Sequence, residues 1–341
     1  MAACKHIAWL RVIENKDPKE IAIEETDRLK ALVREFPDPD TQKPQLAFFL
    51  GTTTKDEALR KIFSRNNIGR RGERGNINLR VDTESLQKDH PIFFADSSPF
   101  ERSAQKSHVW CHETKTHMAA WHVSPSRSVM DAIYSRLIFL FSDIICIFAD
   151  DFSTLEAVML RLIAWVEYNS ASSLPLDVRP RVLIIISEDG HFGDKKIEDF
   201  QTAVQSSMGR KLLASFSTMK VFRLAGKHLS GILRYQRLSI DIHSQMEEMR
   251  LIRQSCRCFF SASHFAAFFS LAVRHTARTL QQEFNFVQAS REEYPIQRNY
   301  NHYLQMFLEN ASHLKLSYDV IVSHIASSMV MDAFPPRMHR E

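Results

Sequence analysis

The sequence predicts an α/β fold: a largely parallel sheet with helices on both faces, followed by an α-helical C-terminal subdomain. Three observations carry this. Continuous apolar runs recur at Gln45–Leu50, Pro91–Asp96, Asp143–Ala149 and Arg181–Ile186, as in strands buried on both faces. Helical patterns lie between them. The clearest is Thr154–Tyr168, where Leu155, Val158, Met159, Leu162, Ile163 and Val166 form an i, i+3, i+4 stripe. From Ser230 the strand signal stops, and helical patterns continue through 231–254, 256–283, 299–313 and 317–333.

In chain order, residues 19–35 carry a partial helical periodicity that Pro37 and Pro39 end, so 1–43 is expected as a helical extension. Pro44 leads into the strand Gln45–Leu50, a turn at Gly51 and a polar helix from about Asp56 to Ser64. A loop over 66–76 precedes Ile77–Val81, whose alternation marks a half-buried strand. The strand ending at Asp96 follows, then a polar, irregular stretch over 97–126. A helix over Ser128–Phe141, the strand before Asp150 and Asp151, the strand ending at Ile186, a helix over 194–213 and a short strand Met219–Leu224 complete a domain expected at 44–228. The helical subdomain is expected at 229–341.

Composition limits the function classes. The charge balance of 44 basic against 40 acidic side chains is even and scattered. The dense basic cluster Arg70-Arg71-Gly72-Glu73-Arg74 is too small for the stripe that nucleic-acid binding uses, so no nucleic-acid partner is expected. The longest apolar stretches, Leu137–Ala149 and Phe259–Val273, fall short of the roughly 20 residues of a spanning helix, Met1–His6 lack the apolar run expected of a signal peptide, and five cysteines lack framework spacing. A cytoplasmic protein without a transmembrane segment is expected. Only 9 glycines argue against several phosphate-cradling loops.

The succession strand, Gly51 turn, helix is that of a P-loop, which requires Gly-x-x-x-x-Gly-Lys-Ser/Thr. Counted from Gly51, Asp56 stands for the second Gly, Glu57 for the Lys and Ala58 for the Ser/Thr. Thr52, Thr53 and Thr54 retain amides able to serve an anion at a helix N-terminus. Lys55 stands two positions early and needs a rearranged loop to take the Lys role.

The element order matches a Ras-like GTPase core. The segment Tyr134-Ser135-Arg136-Leu137-Ile138-Phe139-Leu140-Phe141-Ser142-Asp143-Ile144 resembles the Tyr-Pro-Arg-Leu-x-x-x-Phe-Ser-Asp-Val segment of a fungal family of GTPase-like regions. These regions occur in large multidomain proteins, some with a patatin-like phospholipase domain downstream. His90–Asp96 resembles the family's Pro-Ile-Leu-x-Ala-Asp strand, and Phe284–Arg291 and Asp332–His339 resemble its helical tail. The resemblance covers roughly 44–341 and implies a Ras-like P-loop NTPase sheet followed by an α-helical C-terminal subdomain. It also implies a family fragment, because the family tail continues beyond Pro335-Pro336-Arg337.

Residue by residue, the implied chemistry is broken. In the first element only Gly51 matches. In the second, Asp-x-x-Gly becomes Asp96-Ser97-Ser98-Pro99: Asp96 keeps a water-mediated route to Mg²⁺, but Pro99 has no N–H for a γ-phosphate. The third, Asn-Lys-x-Asp, aligns with Ser187-Glu188-Asp189-Gly190, with Asp189 one residue displaced. The expectation is a pseudo-GTPase, a regulatory or interaction module with a protein partner and no cofactor. Its residual nucleotide site would be Gly51, Thr52, Thr53, Thr54, Lys55, Asp96, Ser187 and Asp189. The alternatives are a GTP or ATP hydrolase holding nucleotide and Mg²⁺ in a rearranged loop, and an accessory module of a patatin-like lipid hydrolase system.

Other constellations read as structural. His108, Cys111, His112, His117 and His122 lack zinc spacing. Cys256 and Cys258, taken as helical, point about 200° apart. No Gly-x-Ser-x-Gly exists for a serine hydrolase. Asp150 and Asp151 suit a metal or, better, the cap of the helix that follows. The stripe Phe259, Phe260, Phe265, Phe268, Phe269 and Val273 suits core rather than a partner groove.

Overall fold

The computed structural model describes residues 7–16, 19–66, 68, 76–99, 113–123, 128–168, 175–205, 215–293 and 300–332. The chain opens with strands β1 (Ala8–Lys16) and β2 (Lys19–Thr26), then α1 (Arg28–Arg34). This corrects the helical extension expected over 1–43. The charges of β2 lie on a strand whose Ile21 and Ile23 are buried, and the buried Arg11 of β1 lies 3.9 Å from Glu24. Next come β3 (Gln45–Leu50), α2 (Thr53–Ile62), β4 (Asn76–Val81), β5 (Ile92–Ser97) and β6 (Thr114–Met118). β6 lies inside the stretch expected to be irregular; its polar, exposed residues give no apolar signal.

Helix α3 (Val129–Ile133) widens into a π turn at Tyr134–Ile138 and closes as α4 (Phe139–Phe141). β7 (Ile144–Phe148), a 3₁₀ turn at Ala149–Asp151, α5 (Leu155–Tyr168), β8 (Arg181–Ser187), α6 (Asp194–Gln205) and β9 (Thr218–Leu224) follow. Helices α7 (Gly231–Ser255) and α8 (Ala262–Arg278) complete the first unit, which ends at Phe284.

The strands form one mixed nine-stranded sheet in the order β6-β2-β1-β4-β5-β3-β7-β8-β9. From β5 to β9 all neighbours are parallel, while β6, β2, β1 and β4 pair antiparallel. The fold class is thus α/β. Alternation along each strand splits the core between two faces. Ala47 and Phe49 of β3 join Leu59 and Phe63 at α2 and Tyr235, Leu238, Ile242 and Met246 of α7 on one face. Phe48 meets Tyr134 and Phe139 on the other, where Phe141 and Trp9 reach Phe269 of α8.

The division between units therefore falls after Phe284, not at 228/229. The strand signal ends at β9, but α7 and α8 are sheet-covering helices. Of the stripe beginning at Phe259, Phe265, Phe268, Phe269 and Val273 are buried core. One polar clamp ties α7 to the sheet. Asp143, fully inside, accepts the Leu46 N–H at 2.7 Å and pairs with Arg253 at 2.6 Å. Burial outweighs these partners and pushes the Asp143 carboxyl above its ordinary range.

The second unit, Asn285–Glu341, contains α9 (Phe286–Glu293), α10 (Tyr300–His313) and α11 (Tyr318–Asp332). Phe307 of α10 stacks on His324 of α11, with ring centroids 4.7 Å apart. Among the described residues, no helix is long and apolar enough to cross a membrane.

Candidate functional site

Ligand crevices in parallel sheets open at the carboxyl ends of the strands. Here that edge gathers the loops after β3, β5, β7 and β8, and all eight residues expected in a nucleotide site lie on it. What fills the crevice differs from the expectation.

β3 ends at Leu50, and Gly51 turns the chain directly into α2. The side chain of Thr52 does not cap that helix. The carboxylate of Asp151, carried on the turn after the neighbouring β7, does so instead. It accepts the N–H groups of Thr52 at 2.7 Å, Thr54 at 2.9 Å and Lys55 at 3.0 Å. Thr53 lies exposed between them. An anion thus sits at the helix N-terminus, but it belongs to the chain. Glycine is required at position 51 by this close approach: a Cβ there would stand 2.5 Å from Asp151 Oδ2 and 2.8 Å from Lys55 Cβ.

Because α2 begins at Thr53, Lys55 falls in its first turn. Its buried ammonium reaches Asp96 Oδ2 at 2.9 Å and Asp56 Oδ1 at 3.1 Å. Burial pulls the ammonium down, but these carboxylates outweigh it and hold Lys55 above its ordinary value. Asp96 also accepts from Arg80 and, at 3.3 Å, from Asn78. Both lie on β4, two residues apart and on the same face, with Asn78 directly opposite Asp96. Burial would raise the Asp96 carboxyl; Lys55 and Arg80 prevail and hold it at about 2. Beside it, Ser97 Oγ accepts from the Tyr134 hydroxyl at 2.7 Å, and the Pro99 carbonyl accepts from Arg161 at 3.0 Å.

The loop after β8 is held in the same way. Asp150 accepts the Ser187 N–H at 2.7 Å, and its other oxygen lies against Gly190, where a Cβ would run into it. Arg234, buried at the start of α7, donates to Ser187 Oγ at 3.0 Å and to the Ala225 carbonyl at 2.8 Å. Asp189 accepts the Lys227 N–H at 2.6 Å, which lowers its pKa.

Asp150 and Asp151 therefore do not cap the helix that follows them. Thr154 Oγ1 accepts from Ala157 in the first turn of α5, and the two acids reach across to the loops after β3 and β8. Local spacing had no means of showing this, because their partners lie 37 to 99 residues away. Arg80, Asn78 and Arg234 were likewise missed; Arg80 alternating with apolar neighbours was the available signal.

Among the described residues, no group of three His, Cys, Asp or Glu side chains could hold a metal ion. His117 lies on β6, 3.7 Å from Glu25, and His122 is exposed. Cys256 and Cys258 are free and flank Arg257, whose φ of 55° turns the chain after α7, so the helical placement expected for them does not hold. His108, Cys111, His112, the basic cluster at 70–74 and the tail from 333 lie outside the described residues.

No family model and no curated protein matches the chain. Among solved structures it is similar to the siderophore hydrolase EstB from Aspergillus nidulans, with 9% identity over 73% of this chain and 98% of that one, and a TM-score of 0.27. A score at that level bears on neither fold nor function.

Proposed function

We propose that this chain is a catalytically silent GTPase-like module that supplies its own anion in place of a phosphate and works through protein contacts. The observation that carries the reading is Asp151, whose carboxylate takes three N–H groups at the turn where a P-loop would hold phosphate. The strand order supports the frame. The run β4-β5-β3-β7-β8-β9, antiparallel only at its first pair, is the order of a Ras-like sheet.

Two further features favour silence over catalysis. Lys55 and Asp96, which an active enzyme would direct at phosphate and Mg²⁺, neutralise each other at 2.9 Å. Asp151 at the turn, and Glu57 where a P-loop carries its Lys, set negative charge against a triphosphate. An incoming phosphate must also displace a carboxylate already positioned by its own fold, a competitor of high effective concentration.

The test is phosphate release from GTP and ATP with Mg²⁺. The reading expects no turnover above buffer. Turnover abolished by Lys55→Ala would sink it and support a hydrolase with a rearranged loop.

A further inference from the structure

The sequence sets a thiol on each side of Arg257, and a continuing helix would point Cys256 and Cys258 apart. The helix does not continue. Its end is a Schellman turn, in which the Arg257 N–H donates to the Gln254 carbonyl at 3.1 Å and the Cys258 N–H to the Arg253 carbonyl at 2.8 Å. Glycine normally takes the left-handed position of that turn. Here Arg257 holds it, at a φ of 55°, a strained conformation for a residue with a Cβ. A left-handed residue sets the Cα atoms on either side of it about 5.5 Å apart, inside the span that a disulfide bridges. The Cys258 thiol folds back over the turn and donates to the Cys256 carbonyl at 3.2 Å. Both thiols are free; Cys256 is partly exposed and Cys258 is buried.

We propose that Cys256 and Cys258 are a reversible thiol–disulfide pair, oxidised by a small disulfide of the glutathione class. The order of events follows from access. The Cys256 thiolate attacks one sulfur of the small disulfide, forming a mixed disulfide and expelling one glutathione thiolate. Cys258 then gives up its proton, attacks Cys256 Sγ and expels the second. The two protein thiol protons pass to the two leaving thiolates, so one glutathione disulfide becomes two thiols as the pair becomes one disulfide. Burial raises the Cys258 thiol, with the Arg253 guanidinium acting against it, and the first attack therefore falls to Cys256. The ring closes around one strained residue, so little chain entropy favours it and free thiols reverse it. It closes next to Arg253, whose guanidinium holds Asp143, and so sets a redox-sensitive bond at the anchor of α7 on the sheet.

Incubation of the folded full chain with millimolar oxidised glutathione, followed by acid quenching and tryptic peptide mapping, tests this. Trypsin cuts after Arg253, Arg257 and Arg274, so a bond between the two thiols joins the peptide Gln254–Arg257 to Cys258–Arg274. Wild type should yield the joined peptides, and an excess of reduced glutathione should abolish them. Cys258→Ser should stop at the mixed disulfide, with glutathione left on Cys256. Cys256→Ser should slow modification of Cys258 by about tenfold or more. A wild type that keeps glutathione on Cys256, stays reduced at both positions, or joins either thiol to Cys4 or Cys111 instead would overturn the proposal. Glutathione uptake by Cys258 in Cys256→Ser as fast as by Cys256 in Cys258→Ser would overturn the order of attack.

Discussion

Asp151 and Lys55 meet through the backbone and part through the side chain. The Lys55 N–H donates to the Asp151 carboxylate at 3.0 Å, while its ammonium turns inward to Asp96 at 2.9 Å. One residue thus joins two internal ion sites. The turn after β3 is held by groups of the chain itself.

Removing the internal anion should cost stability. Asp151→Ala leaves three N–H groups at the start of α2 without their acceptor, for an expected loss of about 2–3 kcal/mol. Asp151→Asn, which keeps one acceptor oxygen, should lose less. Urea denaturation midpoints report both. An Asp151→Ala midpoint equal to wild type would show that the carboxylate holds nothing.

Asp151→Gly should also open the cradle to a free oxyanion. Sulfate or phosphate is expected to raise the melting temperature of this variant and to leave wild type unmoved. Equal responses from the two proteins would count against an occupied cradle.

Gly51 and Asp151 should be energetically coupled. Gly51→Ala places a Cβ against Asp151 Oδ2 and should cost about 2 kcal/mol or more. In an Asp151→Ala background part of that cost disappears, and a double-mutant cycle measures the difference. Strict additivity would mean that the strain comes from Lys55 and Phe148 alone.

Acid should act through Asp96. Its folded pKa of about 2 lies below the ordinary 3.8, so its contribution is complete above 3.8 and is lost as pH falls toward 2. The shift corresponds to about 2 kcal/mol. Asp56 and Asp143 are shifted upward by burial and act with the opposite sign, so wild type alone is not diagnostic. The comparison is with Asp96→Asn, which should show a shallower loss between pH 4 and pH 2 in chemical denaturation. Parallel curves for the two proteins would contradict the assignment.

The core strands were legible because burial on both faces writes an uninterrupted apolar run, as in Gln45–Leu50 and Arg181–Ser187. β1 and β2 were not, because charged residues interrupt their apolar pattern: Arg11 lies 3.9 Å from Glu24 across the strand pair, and Glu25 accepts from Ser270 of α8. β6 is a polar strand at the edge of the sheet. The site divided along the same physical line. Gly51 and Lys55 announce themselves through the strand before them and the helix after them. The role of Asp151 depends on β7 lying beside β3, a relation set by the whole sheet.

The most direct test of the filled cradle is calorimetric titration of wild type with GTP in the presence of Mg²⁺. The account predicts no heat of binding and an unmoved melting temperature. Binding in the micromolar range or tighter would contradict it, because nucleotide would then displace Asp151 from the turn at Gly51.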